Sequence, residues 1–172
     1  KAKEQRGLVA GATSVYEKTW GVTPVDSWEN FERLYKTDGF VNAAVEQTVA
    51  ETIGSGFYTT IQDENSEEAK KTKDLVDAFC AKIGLDQILI QSCRDLLVVG
   101  NAFLERVFNG KKLIGLEPRA PTTMRVMRDE HGMVLGYLQK VGTKKVAFTT
   151  QEILHLKFCQ LTSSAYGTGL VA

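Results

Sequence analysis

The chain has 172 residues, of which 43% are hydrophobic and 24% are charged, as expected for one globular domain or for one domain with an arm. Its 21 Lys and Arg residues balance 21 Asp and Glu residues, so the net charge is zero. This balance argues against a protein whose main task is non-specific nucleic-acid binding, which requires a basic excess. No apolar run approaches the ~18 residues of a membrane-spanning helix, so no membrane partner is expected.

The N-terminal part predicts an arm followed by two helices. Residues 1–25 contain scattered glycine and proline with little periodicity, which predicts an arm in front of a domain at 26–172. Ser27 is predicted to cap a short helix. Asp38 is predicted to cap a second helix, because apolar residues recur at helical spacing from Val41 to Ile53.

The segment after the second helix predicts a turn and a strand. Gly54 and Gly56 are expected to end the helix, since glycine takes the left-handed conformation without a steric cost. Phe57–Ile61 is rich in aromatic and β-branched residues and therefore predicts a short strand.

Two more helices are predicted before residue 101. The first is capped by Ser66 and ended by Gly84, and the second runs from Asp86 to Gly100. Helical spacing gives the first of these helices one apolar face, made of Thr72, Leu75, Val76, Phe79 and Ile83.

From Asn101 onward the apolar period changes from 3.6 to 2, which predicts an antiparallel sheet of hairpins. Asn109-Gly110 is a strong hairpin signal, and Pro118 is expected to break the strand that follows. Ile153–Phe158 alternates between an apolar and a mixed face. Helices followed by hairpins predict an α+β fold. The other strands are predicted at 101–108, 112–117, 123–128, 133–140 and 146–148.

No catalytic, metal or cofactor site is predicted. The only Gly-Lys step, Gly110-Lys111, is a hairpin turn rather than a phosphate-binding loop. The three cysteines form no Cys-x-x-Cys pair, so no metal site is expected. His155 is interpreted as a packed strand residue. The alternative, a hydrolase in which His155 acts with a distant acid, stays open.

Three short segments carry a family resemblance. They are Gly100–Glu105 (Gly-Asn-Ala-Phe-Leu-Glu), Glu152–Leu156 (Glu-Ile-Leu-His-Leu) and Tyr166–Leu170 (Tyr-Gly-Thr-Gly-Leu). In this order they resemble the portal, or connector, proteins of tailed bacteriophages, and with the helix ending at Gly54 the similarity extends over residues 38–170. Portal proteins commonly have Ser-Pro-Leu where this chain has Thr168-Gly169-Leu170.

The resemblance implies the N-terminal wing portion of a structural portal protein, not an enzyme. Such a protein forms a closed ring, dodecameric by family resemblance, through which double-stranded DNA passes during packaging and ejection. It contacts the major capsid or scaffold protein, the terminase large subunit and a head–tail adaptor. Its location would be the capsid vertex of the virion, and the host cytoplasm during assembly. The channel and clip regions have no counterpart in the chain, so no DNA-binding residue is assigned.

The resemblance and the turn chemistry together predict eight structural joints. Asn101 is interpreted as a tolerant turn residue between helix and sheet, and His155 as a packing residue. The alternative function is a non-catalytic adaptor or scaffold domain with an α+β fold and no ring. The joints are Gly54, Gly56, Gly100, Asn101, Gly110, His155, Tyr166 and Gly167.

Overall fold

The structure, a computed structural model, describes residues 21–24, 26–63, 65–161 and 164–171. Most of the predicted arm at 1–25 lies outside the described residues. The described chain forms α-helices first and antiparallel sheets second, so the predicted α+β class is confirmed. The helices are α1 (Trp28–Thr37), α2 (Gly39–Ile53), α3 (Glu67–Ile83) and α4 (Leu85–Val99).

The helix starts follow from local hydrogen bonding. The Asp38 carboxylate accepts hydrogen bonds from the backbone N–H groups of Phe40 and Val41, at 2.9 and 3.1 Å. The Ser66 hydroxyl accepts from the Ala69 N–H at 3.2 Å. Both predicted caps are therefore confirmed. Ser27 occupies the cap position of α1 without a side-chain bond to the backbone.

The helix ends confirm some glycine predictions and correct others. Gly84 and Gly100 are left-handed, with φ of +64° and +77°. Gly54 is right-handed, with φ −59°, and the left-handed residue after α2 is Gly56, with φ +72°. Helix α4 begins at Leu85, directly after Gly84, so Asp86 lies in its first turn, one residue after the helix start.

The predicted strand at Phe57–Ile61 is wrong. This segment has no regular secondary structure, and no strand in the described part of the chain pairs with it. Strand propensity describes how well a side chain fits a pleated surface beside a partner, and without a partner it forms no ladder.

Within the described residues, six strands form two three-stranded sheets, where one sheet was expected. The first sheet has the order β2-β1-β6 and the second β3-β4-β5, and all pairings are antiparallel. A 3₁₀ turn at Pro121–Thr123 separates them along the chain. The strands are β1 (Asn101–Asn109), β2 (Lys112–Arg119), β3 (Met124–Arg128), β4 (Val134–Val141), β5 (Lys144–Phe148) and β6 (Ile153–Lys157).

The β1–β2 hairpin differs from its sequence prediction in two details. Asn109 pairs with Lys112, so the turn residues are Gly110 and Lys111, and only Gly110 has positive φ, +61°. This is the type II′ pattern, not the type I′ turn that Asn-Gly favours. Pro118 does not break β2 but lies inside it opposite Leu104, because an edge strand tolerates a missing N–H.

The core joins α1, α2 and α4 to both sheets. It contains Trp28 from α1, Val49 from α2, Leu97 from α4, Phe103 from β1 and Tyr137 from β4. In β6 the buried side is the mixed face, where Ile153 is buried, whereas Leu154 on the apolar face is exposed.

Helix α3 lies at the periphery and has no buried residue. Leu75 on its predicted apolar face is 73% exposed, and Val76 is also exposed. Phe79 and Ile83 are half-buried, near the C-terminal end where α3 meets α4. The periodicity of α3 therefore identified an apolar face that the described fold leaves largely uncovered.

Candidate functional site

The three segments that carry the resemblance meet in space. Gly100 and Asn101, His155, and Tyr166 with Gly167 form one group of contacting residues, which we call the junction cluster. It lies where α4 passes into β1, beside β6 and the C-terminal turn. The other predicted joints lie elsewhere: Gly54 and Gly56 follow α2, and Gly110 is in the β1–β2 turn.

Gly100 makes the turn from α4 into β1. Its φ of +77° strains any residue with a Cβ atom. A Cβ at this position would also lie 2.5 Å from the carbonyl carbon of Thr168. The Gly100 carbonyl accepts a hydrogen bond from the Phe158 N–H at 2.9 Å. Gly100 is therefore required both by conformation and by space.

Gly167 and Gly169 allow the C-terminal turn to lie directly on this backbone. A Cβ at Gly167 would lie 2.3 Å from the carbonyl oxygens of Gly100 and Phe158, and one at Gly169 would lie 2.5 Å from the Val98 oxygen. Neither residue has positive φ, so the requirement is close approach and not a left-handed conformation. Between them, the Thr168 N–H donates to the Phe158 carbonyl at 2.8 Å.

Asn101 is completely buried and makes four hydrogen bonds. Its Nδ2 donates to the carbonyl oxygens of Val99 and Gly167, at 2.9 and 3.1 Å. Its Oδ1 accepts from the Gly167 N–H at 2.9 Å and contacts His155 Nε2 at 3.0 Å. The interpretation as a tolerant turn residue is corrected, because Asn101 begins β1 without positive φ and acts through its side chain.

The bonds of Asn101 determine the tautomer of His155. Because Oδ1 is an acceptor, His155 Nε2 must carry the hydrogen, and Nδ1 is left bare. Nδ1 is buried and has no hydrogen-bond partner among the described residues. Burial, together with the charge of Lys157, lowers the pKa of His155 to about 3. A neutral imidazole with this pKa is poorly matched to general-base catalysis near pH 7.

Aromatic rings surround His155. Its ring stacks on Phe103 with centroids 4.1 Å apart, and the edge of Tyr137 meets it at 5.7 Å. Phe103 lies directly opposite His155 in the β1–β6 ladder, so both side chains are on the face that meets the second sheet. His155 therefore connects the buried polar bonds of Asn101 to the apolar core between the sheets.

Tyr166 connects the cluster to the chain before α1. Its hydroxyl donates to the Val22 carbonyl at 2.6 Å and accepts from the Val126 N–H at 3.0 Å. Its ring meets Trp28 edge-on, with centroids 4.9 Å apart. One side chain thus holds the segment at 21–24, α1 and β3 together.

A second polar centre, absent from the sequence predictions, links the three core helices α1, α2 and α4. Arg94 on α4 donates to both carboxylate oxygens of Glu46 on α2, at 2.6 and 2.8 Å, and the Tyr35 hydroxyl on α1 also donates to Glu46. The hydrogen bonds from Arg94 and Tyr35 lower the pKa of Glu46 to about 2. The sequence feature that could have indicated this centre is Glu46, a charged residue directly after the buried Val45 of α2.

A cleft of about 370 Å³ lies between α1 and α4 beside this centre. It is lined by Asp95, whose pKa rises to about 7 because of burial and of the nearby Glu32 charge. Two carboxylates do not make a metal site, and the described residues contain no group of three or more His, Cys, Asp or Glu placed to hold a metal ion. The three cysteines are free thiols.

Similarity to known proteins is found in the fold. No protein-family model matches the chain, and no curated protein matches it in sequence. A chain in the structure described as "Virion of native gene transfer agent (GTA) particle" superposes with a TM-score of 0.67 and 20% identity, over 87% of this chain and 40% of its own length. The chain shares the fold of a gene transfer agent particle component.

Two further structures repeat this likeness. One is described as "Neck of empty GTA particle computed with C6 symmetry", with a TM-score of 0.63 and 23% identity over 86% of this chain and 42% of the other. Another is "Neck of native GTA particle computed with C12 symmetry", with a TM-score of 0.62 and 20% identity over 91% and 44%. The chain thus spans less than half the length of each of these three chains. No helix among the described residues is long and apolar enough to cross a membrane.

Proposed function

We propose that this chain is part of a portal-like subunit that forms a ring at the capsid vertex of a phage-like particle. The observation that carries the proposal is the shared fold with chains of gene transfer agent virions and necks, over 86 to 91% of this chain. The order of the Gly100–Glu105, Glu152–Leu156 and Tyr166–Leu170 segments, which resembles portal proteins, supports it independently of the fold comparison.

The proposed ring contains twelve copies and acts as a conduit for double-stranded DNA. A neck computed with C12 symmetry supports this number, since a closed cyclic ring repeats one head-to-tail interface. In this proposal the domain at residues 26–172 is the outer wing, and residues 1–25 are its arm. The zero net charge suits a surface that contacts proteins more than DNA.

The proposed partners follow from the position in the particle. They are the major capsid or scaffold protein, the terminase large subunit during packaging, and a head–tail adaptor afterwards. The protein would lie in the virion after assembly in the host cytoplasm. The role of the domain is mechanical: the junction cluster holds α4, both sheets and the C-terminal turn in one orientation, so that forces between neighbours pass through a rigid unit.

Electron microscopy of the full-length protein tests the proposal. We expect negative-stain images to show rings with a central channel, and light scattering to give the mass of a closed assembly. A full-length protein that stays monomeric over the micromolar range, with no rings in particles, would refute the ring.

The uncovered side of α3 favours one other candidate, an adaptor domain that binds a partner without forming a ring. The same measurements separate the two functions. An adaptor would remain a monomer and co-purify with one other particle protein in a fixed stoichiometric ratio.

A further inference from the structure

Two segments of the chain have backbone groups that can pair with a further strand. Phe57–Ile61 has the aromatic and β-branched composition of a strand but pairs with no strand among the described residues. Strand β5 lies at the edge of its sheet and pairs only with β4 in the described part of the chain. An edge strand presents a row of free backbone N–H and C=O groups that an extended segment can bind.

We propose that Phe57–Ile61 of one copy adds as a strand to the β5 edge of the neighbouring copy. This inference rests on the proposed ring, because a head-to-tail ring gives every subunit one neighbour on each side. Such an interface requires two different patches on each subunit. Helix α3, which lies beside Phe57–Ile61, packs on α4 and β2, whereas β5 packs on β4, so the two patches belong to different parts of the fold.

The two patches have opposite charge. Residues 63–68 read Asp-Glu-Asn-Ser-Glu-Glu, with four acids and no base, and Glu67 among them is paired with Lys70 on α3 at 2.8 Å. Residues 140–145, at the tip of the β4–β5 hairpin, read Lys-Val-Gly-Thr-Lys-Lys, with three lysines and no acid. Glu67, Glu68, Lys140 and Lys144 are all exposed. Opposite patches of this kind select the partner and set the register of an interface.

Both patches also expose apolar surface. Tyr58 is 87% exposed, while Val141 and Val146 in the hairpin are 58% and 51% exposed. Beside the acidic residues, a groove of about 610 Å³ runs between residues 59–63 and α3, with Ile61 and Val76 in its wall. Strand addition would cover these side chains while supplying hydrogen bonds to both backbones.

A simpler explanation of the lysines is that they protect β5 from pairing at all, as charges on edge strands often do. Charge reversal separates the two explanations. We expect Lys140→Glu with Lys144→Glu to raise the concentration for half-assembly of the full-length protein by ~10-fold or more, since like charges then face each other. The matched control, Lys111→Glu with Lys112→Glu in the β1–β2 hairpin, should leave assembly unchanged.

The compensating variant is Glu68→Lys, since Glu68 is exposed whereas Glu67 is already paired with Lys70. Alone it should weaken assembly, and combined with the reversed hairpin it should restore assembly. If the lysines only protect an edge, the two reversals will show no mutual rescue. Circular dichroism of each variant checks that α3 remains helical. Full assembly of the reversed hairpin would overturn the proposed interface while leaving the ring intact.

Cross-linking tests the contact itself and does not depend on charge. In a background without native cysteines (Cys80→Ser, Cys93→Ala and Cys159→Ser), Tyr58→Cys and Val146→Cys are combined in one full-length chain and treated with a short bis-maleimide. A head-to-tail interface predicts a ladder of cross-linked species that extends beyond the dimer. An equal mixture of the two single-cysteine variants should stop at the dimer, because each chain then carries only one reactive patch.

The outcomes distinguish the two proposals. Rings in the microscope without a cross-linked ladder would refute the strand addition and leave the proposed function standing. A monomeric wild-type protein without rings would refute both. A ladder together with charge rescue would establish both the contact and its direction around the ring.

Discussion

Replacing Asn101 tests the junction cluster most directly. Asn101→Ala removes four hydrogen bonds from a completely buried site, and each such bond contributes about 1 kcal/mol net. Because the Gly167 N–H and the His155 Nε2–H would remain buried, we expect a loss of about 3–5 kcal/mol in the free energy of unfolding. Since a domain is stable by about 5–15 kcal/mol, this is a large fraction of the total.

Urea denaturation followed by circular dichroism measures this loss. The control is Asn109→Ala at the exposed end of β1, which should change the free energy of unfolding by less than about 0.5 kcal/mol. Asn101→Asp separates size from hydrogen bonding: it keeps the shape but places an oxygen against the carbonyls of Val99 and Gly167. The reasoning fails if Asn101→Ala loses less than about 1 kcal/mol, or if Asn101→Asp is as stable as the wild type.

Three further predictions concern single positions. In thermal melts, Gly100→Val should lower the free energy of unfolding by more than about 3 kcal/mol, because backbone strain of ~1–2 kcal/mol adds to a Cβ contact at 2.5 Å. A Cβ at Gly110 has no atom within 4 Å, so Gly110→Val should lose only the strain energy, and equal losses for the two variants would contradict this. The pKa of His155 is about 3 in the folded state against an ordinary 6.5, so the wild type should lose stability as pH falls below 6.5, by about 2–4 kcal/mol at pH 3–4. In urea titrations, the free energy of unfolding of His155→Gln should not show this dependence on pH. The pKa of Asp95 is raised from 3.8 to about 7, so the wild type should lose stability as pH rises through this range and the buried carboxyl ionises. At pH 8, Asp95→Asn should therefore raise the free energy of unfolding by about 1–3 kcal/mol after allowance for solvent screening, and no increase would exclude the buried charge.

The last two titrations act in opposite directions between pH 3.8 and 6.5. His155 stabilises the fold as pH rises, and Asp95 destabilises it. The stability of the wild type should therefore change less with pH than that of either variant. Measuring both variants and the double variant resolves the two contributions.

The starts and ends of helices were predictable from the sequence, because their causes are local. The caps at Asp38 and Ser66 and the left-handed ends at Gly84 and Gly100 each depend on a few neighbouring residues. The failure at Phe57–Ile61 has a different cause, since a strand exists only beside another strand. Helix periodicity likewise reports that α3 has an apolar face without reporting what covers it.

The contacts of the candidate site were not predictable from spacing. Asn101 meets His155 across 54 residues and Gly167 across 66 residues, and Arg94 meets Glu46 across 48 residues. The family resemblance singled out Asn101, His155 and Gly167 one by one, as turn or packing residues. Only the fold shows that one buried amide connects them, because hydrogen-bond geometry depends on how the sheets and α4 are placed.

The contact of the C-terminal turn with α4 and β1 also sets an order for folding during synthesis. Asn101, where β1 begins, is synthesised 66 residues before Gly167, and until Gly167 is made the Asn101 amide lacks its hydrogen bonds to the C-terminal turn. Contacts at such sequence separation form slowly, because the intervening chain must close first. We therefore expect nascent chains that end before Tyr166 to be far more sensitive to protease than chains that extend past Val171.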